Sequence, residues 1–270
     1  MSLLADIDAV VFDVDGTLLH AGDPSGPGGA HPIAGAIETV ERVRAGGRRV
    51  LFFTNGTGLP PPQYAAGIRA LGFTIADEEF LNPAVVAARW IARRHPGKPV
   101  LVLGGTGVAA PLHELGIETI MATEPRTAGV VLVGWDDTLT YAALRAACES
   151  IWAGAPLLAT STASVFSVGG GVAPGWSGAI AAGIRQTTGA RPITLGKPSP
   201  VALREACRTL GVAPARTLVV GDDLRLEIAM ARRAGARAAL VLTGVSSARD
   251  AAECPPARQP DAVLADVTEL

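Results

Sequence analysis

The sequence predicts an α/β fold built on a parallel sheet, and three observations lead to this prediction. Short apolar runs at residues 9–12 and 49–53 show no polar alternation, which is typical of strands buried on both faces. Segments with apolar residues at helical spacing follow these runs. Strands and helices therefore alternate along the chain, an order that favours parallel strands joined by helical crossovers.

Length and composition allow a substantial hydrophobic core. The chain has 270 residues, which suits one large domain or two smaller ones, and 49% of them are hydrophobic. A net charge of −2 gives no sign of a nucleic-acid partner. No apolar run reaches the ~18 residues that a membrane span requires, and we expect no membrane partner.

Cellular location is predicted from the cysteines and from the start of the chain. Cys148, Cys207 and Cys254 form no CxxC pair and are expected to be reduced. The first strand begins within ten residues of Met1, which leaves no room for a signal peptide. We therefore expect a cytoplasmic protein.

The first part of the chain is predicted to hold two strands, each followed by a helix. A Gly- and Pro-rich stretch at 20–31 predicts a mobile loop beside the first strand end. Pro32 is expected to begin the first helix, and the second helix is expected over residues 60–72. A third helix is predicted to begin at Asn82 and Pro83.

A second α/β set is predicted within the first. Residues 82–190 carry their own apolar runs and helical segments, and Trp152, on one helix face, is expected to fill their core. After residue 191 the first pattern resumes, with a buried strand at 217–220. We therefore predict a discontinuous core of residues 1–81 and 191–270, interrupted by an inserted α/β domain of residues 82–190.

Polar residues stand at four predicted strand ends, the edge at which open α/β sheets bind ligands. They are Asp13 with Asp15, Thr54 with Asn55, Lys197, and Asp222 with Asp223. Two like charges spaced as i and i+2 point the same way from a strand and are costly unless a cation lies near them. Alternatively, each set has an ordinary explanation as a turn, a solvated loop cation or a helix cap.

The four sets together resemble the motifs of the haloacid dehalogenase (HAD) superfamily. They read DVDGT (13–17), TN (54–55), the Lys of GKP (197), and GDD with a later acid (222, 223, 227). The insertion lies between the second and third motifs, and PGWSGAI (174–180) is similar to the NagD-like, class IIA branch. The resemblance implies a Rossmann-like parallel-sheet core with an inserted type 2 cap domain.

The resemblance also implies the chemistry. It makes the chain a Mg²⁺-dependent phosphatase of a small phosphorylated metabolite, working through an aspartyl-phosphate. Asp13 would be the nucleophile, Asp15 the general acid and base, and Lys197 the cation that offsets the charge of the carboxylates and the phosphate. Proteins of this family often dimerise through the cap domain, which supplies a homodimer as a further hypothesis.

The remaining roles follow from the same motifs. Thr54 and Asn55, with Lys197, would bind the phosphoryl oxygens. Mg²⁺ would be held by the Asp13 carboxylate, the Asp15 main-chain carbonyl and Asp222, an oxygen set that suits this ion. Asp223 and Glu227 would act from the outer shell of the metal site, although Glu227 stands where the family usually has Asp. The branch's TNxD pattern in the cap domain is replaced here by Thr-Ser-Thr-Ala at 160–163, which puts an inherited substrate in doubt.

Two other functions remain open from the sequence. The glycine-rich turn at 104–110 matches a dinucleotide fingerprint, with Glu118 and Glu124 at plausible distances for a ribose contact. That hypothesis leaves Asp13, Lys197 and Asp222 unexplained. The altered cap-domain loop favours a second alternative, a non-catalytic protein that binds a phosphorylated ligand.

Overall fold

The computed structural model describes residues 3–20, 29–121, 124, 127–136, 138–168 and 171–270. Within these residues, two fully parallel sheets dominate the fold. The first has six strands in the order β15-β14-β13-β1-β4-β5, and the second has five in the order β12-β9-β8-β6-β7. This confirms the predicted α/β class.

The strands are mostly three to five residues long. In chain order they are β1 (Ala9–Asp13), β2 (Leu19–His20), β3 (His31–Pro32), β4 (Arg49–Phe53), β5 (Phe80–Leu81), β6 (Val100–Leu103), β7 (Thr119–Ile120), β8 (Val130–Val133), β9 (Leu157–Ala159), β10 (Val165–Val168), β11 (Gly171–Pro174), β12 (Ile193–Thr194), β13 (Thr217–Gly221), β14 (Arg237–Val241) and β15 (Ala262–Leu264).

The helices lie between the strands, as the alternating pattern predicts. In chain order they are α1 (Ala36–Ala45), α2 (Pro61–Ala70), α3 (Pro83–Arg94), α4 (Thr106–Glu114), α5 (Tyr141–Trp152), α6 (Trp176–Thr188), α7 (Pro200–Leu210), α8 (Ala229–Ala234) and α9 (Ala248–Glu253).

Both faces of each sheet are covered, which explains why the strands read as unbroken apolar runs. On the first sheet, Val10 and Phe12 pack with the residues of α1 and α2, whereas Ala9 and Val11 pack on the opposite face. That opposite face shares one apolar cluster with residues of α3, α7 and the second sheet. The two sheets are therefore joined by a continuous core.

Helix α3 begins where the sequence predicts, because Asn82 caps it. The Asn82 side chain accepts hydrogen bonds from the main-chain N–H groups of Ala84 and Val85, both at 3.1 Å. Pro83 occupies the first helical position, where no N–H is needed. The chain thus passes from β5 of the first sheet into α3 without a long linker.

The predicted domain division remains a prediction, but one strand lies elsewhere than expected. Ile193 and Thr194, assigned from the sequence to the core, pair with β9 of the second sheet instead. A two-residue strand carries too little pattern to show which sheet it joins. The chain leaves the second sheet only after this strand.

Three local expectations need comment. Pro32 does not begin a helix, because it pairs with Leu19 in a short antiparallel ladder and α1 begins at Ala36. Most of the predicted mobile loop, residues 21–28, lies outside the described residues. Trp152 is 63% exposed, because the buried face of α5 is formed by Ala147, Cys148 and Ile151 instead.

None of the helices in the described part of the chain is long and apolar enough to cross a bilayer.

Gly107 provides a test of how tightly α4 packs against the chain after β4. A Cβ on Gly107 would lie 2.3 Å from the Thr57 carbonyl oxygen and 2.7 Å from that of Leu59. We expect Gly107→Ala to lower the free energy of unfolding by about 1–3 kcal/mol through overpacking. The measurement is urea unfolding followed by circular dichroism.

Gly183 is the matched control, since it also lies inside a helix but has no atom within 4 Å of a built Cβ. There, alanine should raise stability by roughly 0.5–1 kcal/mol because it restricts the unfolded chain and favours helix. Equal stability changes for the two variants would contradict close packing at Gly107.

Candidate active site

Asp13 lies at the centre of the first sheet, at the carboxyl end of its strand. β1 is buried along its whole length between β13 and β4, and Asp13 is its last residue. The side chain is 4% exposed. The Thr17 hydroxyl donates a hydrogen bond to Asp13 Oδ2 at 3.0 Å. The fold therefore fixes a buried carboxylate where ligands of such sheets bind.

Lys197 reaches the same point from the chain beyond the second sheet. Its ammonium contacts Asp13 Oδ1, lies 2.7 Å from Glu227 Oε1, and donates to the Phe53 carbonyl oxygen at 3.2 Å. Burial by itself would lower the pKa of Lys197, but the Asp13 and Glu227 carboxylates outweigh burial and hold the pKa above its usual value. Lys197 is therefore a permanent buried cation shared by two acids.

Asp222 follows β13, the strand beside β1. Its Oδ2 accepts a hydrogen bond from the Val245 main-chain N–H at 2.8 Å. Gly16 has a positive φ of 85°, and a Cβ there would lie 2.5 Å from Asp222 Oδ2, so only glycine allows this approach. Burial, then the charges of Asp13 and Glu227, raise the pKa of Asp222 to about 9.

Three carboxylates converge at this point and fit a divalent cation. Asp13, Asp222 and Glu227 each offer a buried oxygen, and these oxygens all lie within 4.8 Å of one another. One ammonium cannot neutralise three acids, and burial together with the Asp13 charge also raises the pKa of Glu227. A set of hard oxygen donors with excess negative charge suits Mg²⁺.

The structure thus brings together the residues predicted to surround the metal, with one change of emphasis. Glu227, predicted to act from the outer shell, joins the carboxylate group directly and pairs with Lys197. The predicted contribution of the Asp15 main-chain carbonyl remains a prediction.

Asp15 lies beside Asp13, but its side chain has a different environment. Thr54 donates a hydrogen bond to Asp15 Oδ2 at 3.1 Å. The Asp15 residue is exposed to solvent, but protein atoms surround its carboxyl group and reduce its hydration. Loss of hydration and the Asp13 charge raise the pKa of Asp15 to about 6, against the opposing effects of Lys197 and Thr54. Because water still reaches the Asp15 carboxyl group, the negative charge of Asp13 contributes to the raised pKa of Asp15 as well as burial.

Asn55 is occupied in a way that the sequence did not predict. Its side-chain oxygen accepts from the Lys197 main-chain N–H at 2.9 Å, and its amino group donates to the Lys197 carbonyl at 3.1 Å. The Thr54 hydroxyl likewise accepts from the Gly56 N–H at 3.1 Å. Both side chains therefore hold other site residues in place, and their predicted contact with phosphoryl oxygens remains a prediction.

Asp223 caps a turn, which is the ordinary explanation that the sequence offers for it. Its Oδ1 accepts from the Arg225 N–H at 2.6 Å and so caps the turn that follows β13. Asp222 makes no such cap and turns to Val245 instead. Asp223 thus caps a turn while Asp222 lies among the site carboxylates, and the predicted outer-shell role of Asp223 remains a prediction.

The sequence did not indicate three residues that hold the site together: Thr17, near Asp13, and Val245 and Ser246, after β14. Thr17 is the last residue of the first motif, and its hydroxyl was the available signal. Val245 and Ser246 follow β14, and the Ser246 hydroxyl accepts from the Leu224 N–H at 3.1 Å. Because β14 lies beside β13 in the sheet, the polar residues that follow β14 could have indicated that Val245 and Ser246 belong to the site.

The glycine-rich turn between β6 and α4 has a packing explanation. Gly107 lies against the main chain at residues 57–59, and the Gly105 N–H donates to the Trp135 carbonyl at 2.8 Å. The Glu124 carboxylate accepts from the Met121 N–H at 2.7 Å. These contacts account for the motif without a dinucleotide.

Comparisons with known proteins agree with this geometry. The model for haloacid dehalogenase-like hydrolases matches residues 10–118, and a HAD-hydrolase-like model matches residues 194–270. Chronophin from Rattus norvegicus is 34% identical over 259 residues, which cover 92% of this chain and 81% of the relative. The chain belongs to the haloacid dehalogenase-like hydrolases.

Solved structures place this HAD hydrolase in the NagD-like branch. NagD from E. coli K-12 superimposes with a TM-score of 0.84 at 27% identity, with 98% of each chain covered. A glycerol phosphate phosphatase from Mycobacterium tuberculosis, solved in complex with magnesium, gives a TM-score of 0.86 at 31% identity. That match covers 99% of this chain and 77% of the other. Mg²⁺ is accordingly the cofactor that the carboxylate group is built to hold.

The clustered acids predict how stability depends on pH and on the metal. In the folded protein without Mg²⁺, the pKa of Asp222 is raised from 3.8 to about 9, and the pKa of Glu227 is raised from 4.5 to about 7. Both groups therefore stay protonated at pH values at which they ionise in the unfolded chain. The folded state then binds more protons than the unfolded state, so stability is lost as pH rises through about 5–9. We expect the thermal midpoint in EDTA to fall across this range, and Mg²⁺ to raise it most at the alkaline end.

Asp222→Asn is the control, because it removes one of the three acids. This variant should show a shallower pH dependence in EDTA and a smaller response to Mg²⁺. A midpoint in EDTA that is flat over this range, or an undiminished Mg²⁺ response in the variant, would contradict the charge balance described above.

Proposed function

We propose that the chain is a Mg²⁺-dependent phosphatase that hydrolyses a small phosphomonoester through an aspartyl-phosphate on Asp13. One observation carries this proposal. Lys197 and Asp222, which are distant in sequence, both lie against the buried Asp13 carboxylate at the carboxyl edge of the first sheet. Such an arrangement lets an anionic nucleophile and an anionic phosphate share one small volume.

The residues that would hold Mg²⁺ are Asp13 and Asp222, with Glu227 beside them. Bound there, Mg²⁺ supplies positive charge that stabilises the phosphoryl oxygens during transfer. Lys197 supplies the protein's own fixed positive charge at the same place, and its main chain is held by Asn55. Thr17 and Lys197 together orient the two oxygens of Asp13.

In the first step, an Asp13 oxygen attacks phosphorus and the bond from phosphorus to the leaving oxygen breaks. Asp15 gives its proton to that leaving alkoxide, which departs as the alcohol. A pKa raised to about 6 keeps a usable fraction of Asp15 protonated near neutral pH. Thr54 holds the Asp15 carboxyl in position through its hydroxyl.

In the second step, the Asp15 carboxylate takes a proton from water, and the water oxygen attacks phosphorus. The bond between phosphorus and Asp13 breaks, which regenerates the Asp13 carboxylate and releases phosphate. Asp15 ends the cycle protonated, as it began. The same carboxyl group therefore serves as acid and then as base.

The substrate class is a small phosphomonoester. The unit built on the second sheet would cover the site, contact the leaving group and exclude water during transfer. One relative is named a glycerol phosphate phosphatase, so glycerol phosphates belong in a substrate panel. In the segment that replaces the family's cap-domain pattern, the buried Thr160 hydroxyl donates a hydrogen bond to the Ser177 hydroxyl of α6 at 3.2 Å.

We also propose that the protein works in the cytoplasm as a homodimer formed through the cap domain. Free thiols at Cys148, Cys207 and Cys254 agree with a reducing compartment. Ile193, on the edge strand of the second sheet, is 38% exposed and offers an apolar contact there.

Asp13→Asn tests the nucleophile. The amide cannot accept the phosphoryl group, so we expect Mg²⁺-dependent phosphate release from a panel of phosphomonoesters to fall at least about a thousandfold. Asp77→Asn is the control, because Asp77 is exposed and pairs with Arg69 on the surface. Retained turnover in the Asp13 variant would rule out the mechanism, and ligand binding without turnover in the unaltered protein would favour the non-catalytic alternative.

Asp15→Asn tests the general acid through the leaving group. An alkoxide needs a proton to depart, whereas 4-nitrophenolate does not. In single-turnover experiments, the variant should therefore release 4-nitrophenol much faster, relative to the unaltered enzyme, than it releases an alkyl alcohol. An equal fractional loss with both leaving groups would exclude proton donation by Asp15.

A further inference from the structure

A polar hollow that is open to solvent lies at the edge of the second sheet, apart from the carboxylates around Asp13. Its volume is about 430 Å³, which lies in the range of small-molecule sites. Four segments line it: the chain after β9, helix α6, the connection to β12, and β12 itself. The lining residues are Thr162, Arg185, Arg191, Pro192 and Thr194.

The two arginines of this hollow are exposed to solvent. Neither the Arg185 nor the Arg191 side chain makes an ion pair or hydrogen bond within the described residues. Arg44 and Arg93, by contrast, are paired, Arg44 with Glu79 at 2.7 Å and Arg93 with Glu205 at 2.6 Å. No acidic side chain lines the hollow, so its positive charge is not balanced from within.

The other lining groups suit the same kind of ligand. The hydroxyls of Thr162 and Thr194 lie 3.0 Å apart and add donors and acceptors beside the guanidinium groups. Pro192 stiffens the connection that carries Arg191. Guanidinium groups bind carboxylate and phosphate oxygens through paired, charge-assisted hydrogen bonds.

We propose that this hollow binds a small dianion carrying carboxylate or phosphate groups. The site is independent of Asp13, because none of its lining residues belongs to the catalytic group. It is nevertheless connected to that group through the chain: Thr194 precedes Leu195, whose N–H donates to the Ala159 carbonyl at 2.9 Å, and Lys197 follows two residues later. An anion held by Thr194 thus lies on the segment that delivers the catalytic cation.

Calorimetric titration of the full chain with saturating Mg²⁺ tests the proposal. Succinate is the dicarboxylate probe and inorganic phosphate is the second probe, so the two arms show which oxygen anion the hollow prefers. We expect at least one probe to bind with an affinity that falls as NaCl is added. In the double variant Arg185→Ala/Arg191→Ala, that affinity should fall roughly tenfold or more, since charge-assisted hydrogen bonds are lost. Phosphate binding at Asp13 as a product should remain in this variant.

The matched control is Arg94→Ala/Arg204→Ala, which removes the same charge from two exposed arginines on α3 and α7. This control should bind the probes as the unaltered chain does. The proposal would be overturned by no succinate binding together with no phosphate binding beyond the site at Asp13, by an equal loss in both double variants, or by undiminished binding at the hollow in Arg185→Ala/Arg191→Ala. A changed oligomeric mass in that variant with unchanged anion affinity would also overturn it, because the arginines would then serve a contact between copies.

Discussion

The rest of the site depends on the ion pairs that the buried Lys197 ammonium makes with two carboxylates. Removing charges from water is costly, and a buried acid without a partner destabilises a fold by about 3–5 kcal/mol. Lys197 meets both Asp13 and Glu227 and so makes the cluster tolerable. It cannot also neutralise Asp222, and the uncompensated charge is what gives the site its demand for a divalent cation.

The topology explains why the sequence could predict so much of this site. β1 and β13 are neighbouring central strands, long enough to appear as buried apolar runs; β1 ends in Asp13, and Asp222 directly follows β13. Parallel strands carry their carboxyl ends to one edge, so the adjacency of Asp13 and Asp222 follows from strand order. The family, the fold class and the need for a metal were therefore accessible from local pattern and motif spacing.

Other features depend on contacts for which the sequence carries no local pattern. The strand before Lys197 has only two residues, and its place in the second sheet follows from pairing with β9. The family resemblance predicts a phosphate ligand at Asn55, but nothing local in the sequence shows that its amide also bonds the Lys197 main chain, 142 residues away. Trp152 is a similar case. It is the last residue of α5, where the helical spacing of apolar residues does not show whether the ring is buried, and it is 63% exposed.

Glu227 shows how a departure from the family motif can preserve the charge balance. The residues before α8 form a π-helical turn at 224–228, a wider turn than an α-helix, and such turns often mark functional sites. From it, one oxygen of Glu227 reaches Lys197 at 2.7 Å while the other accepts from the Asp223 N–H at 3.1 Å. The side chain thus spans from its own turn to the ammonium. The extra methylene of glutamate supplies the reach for this span, so the longer acid and the wider turn act as one structural unit that holds Lys197 against Asp13.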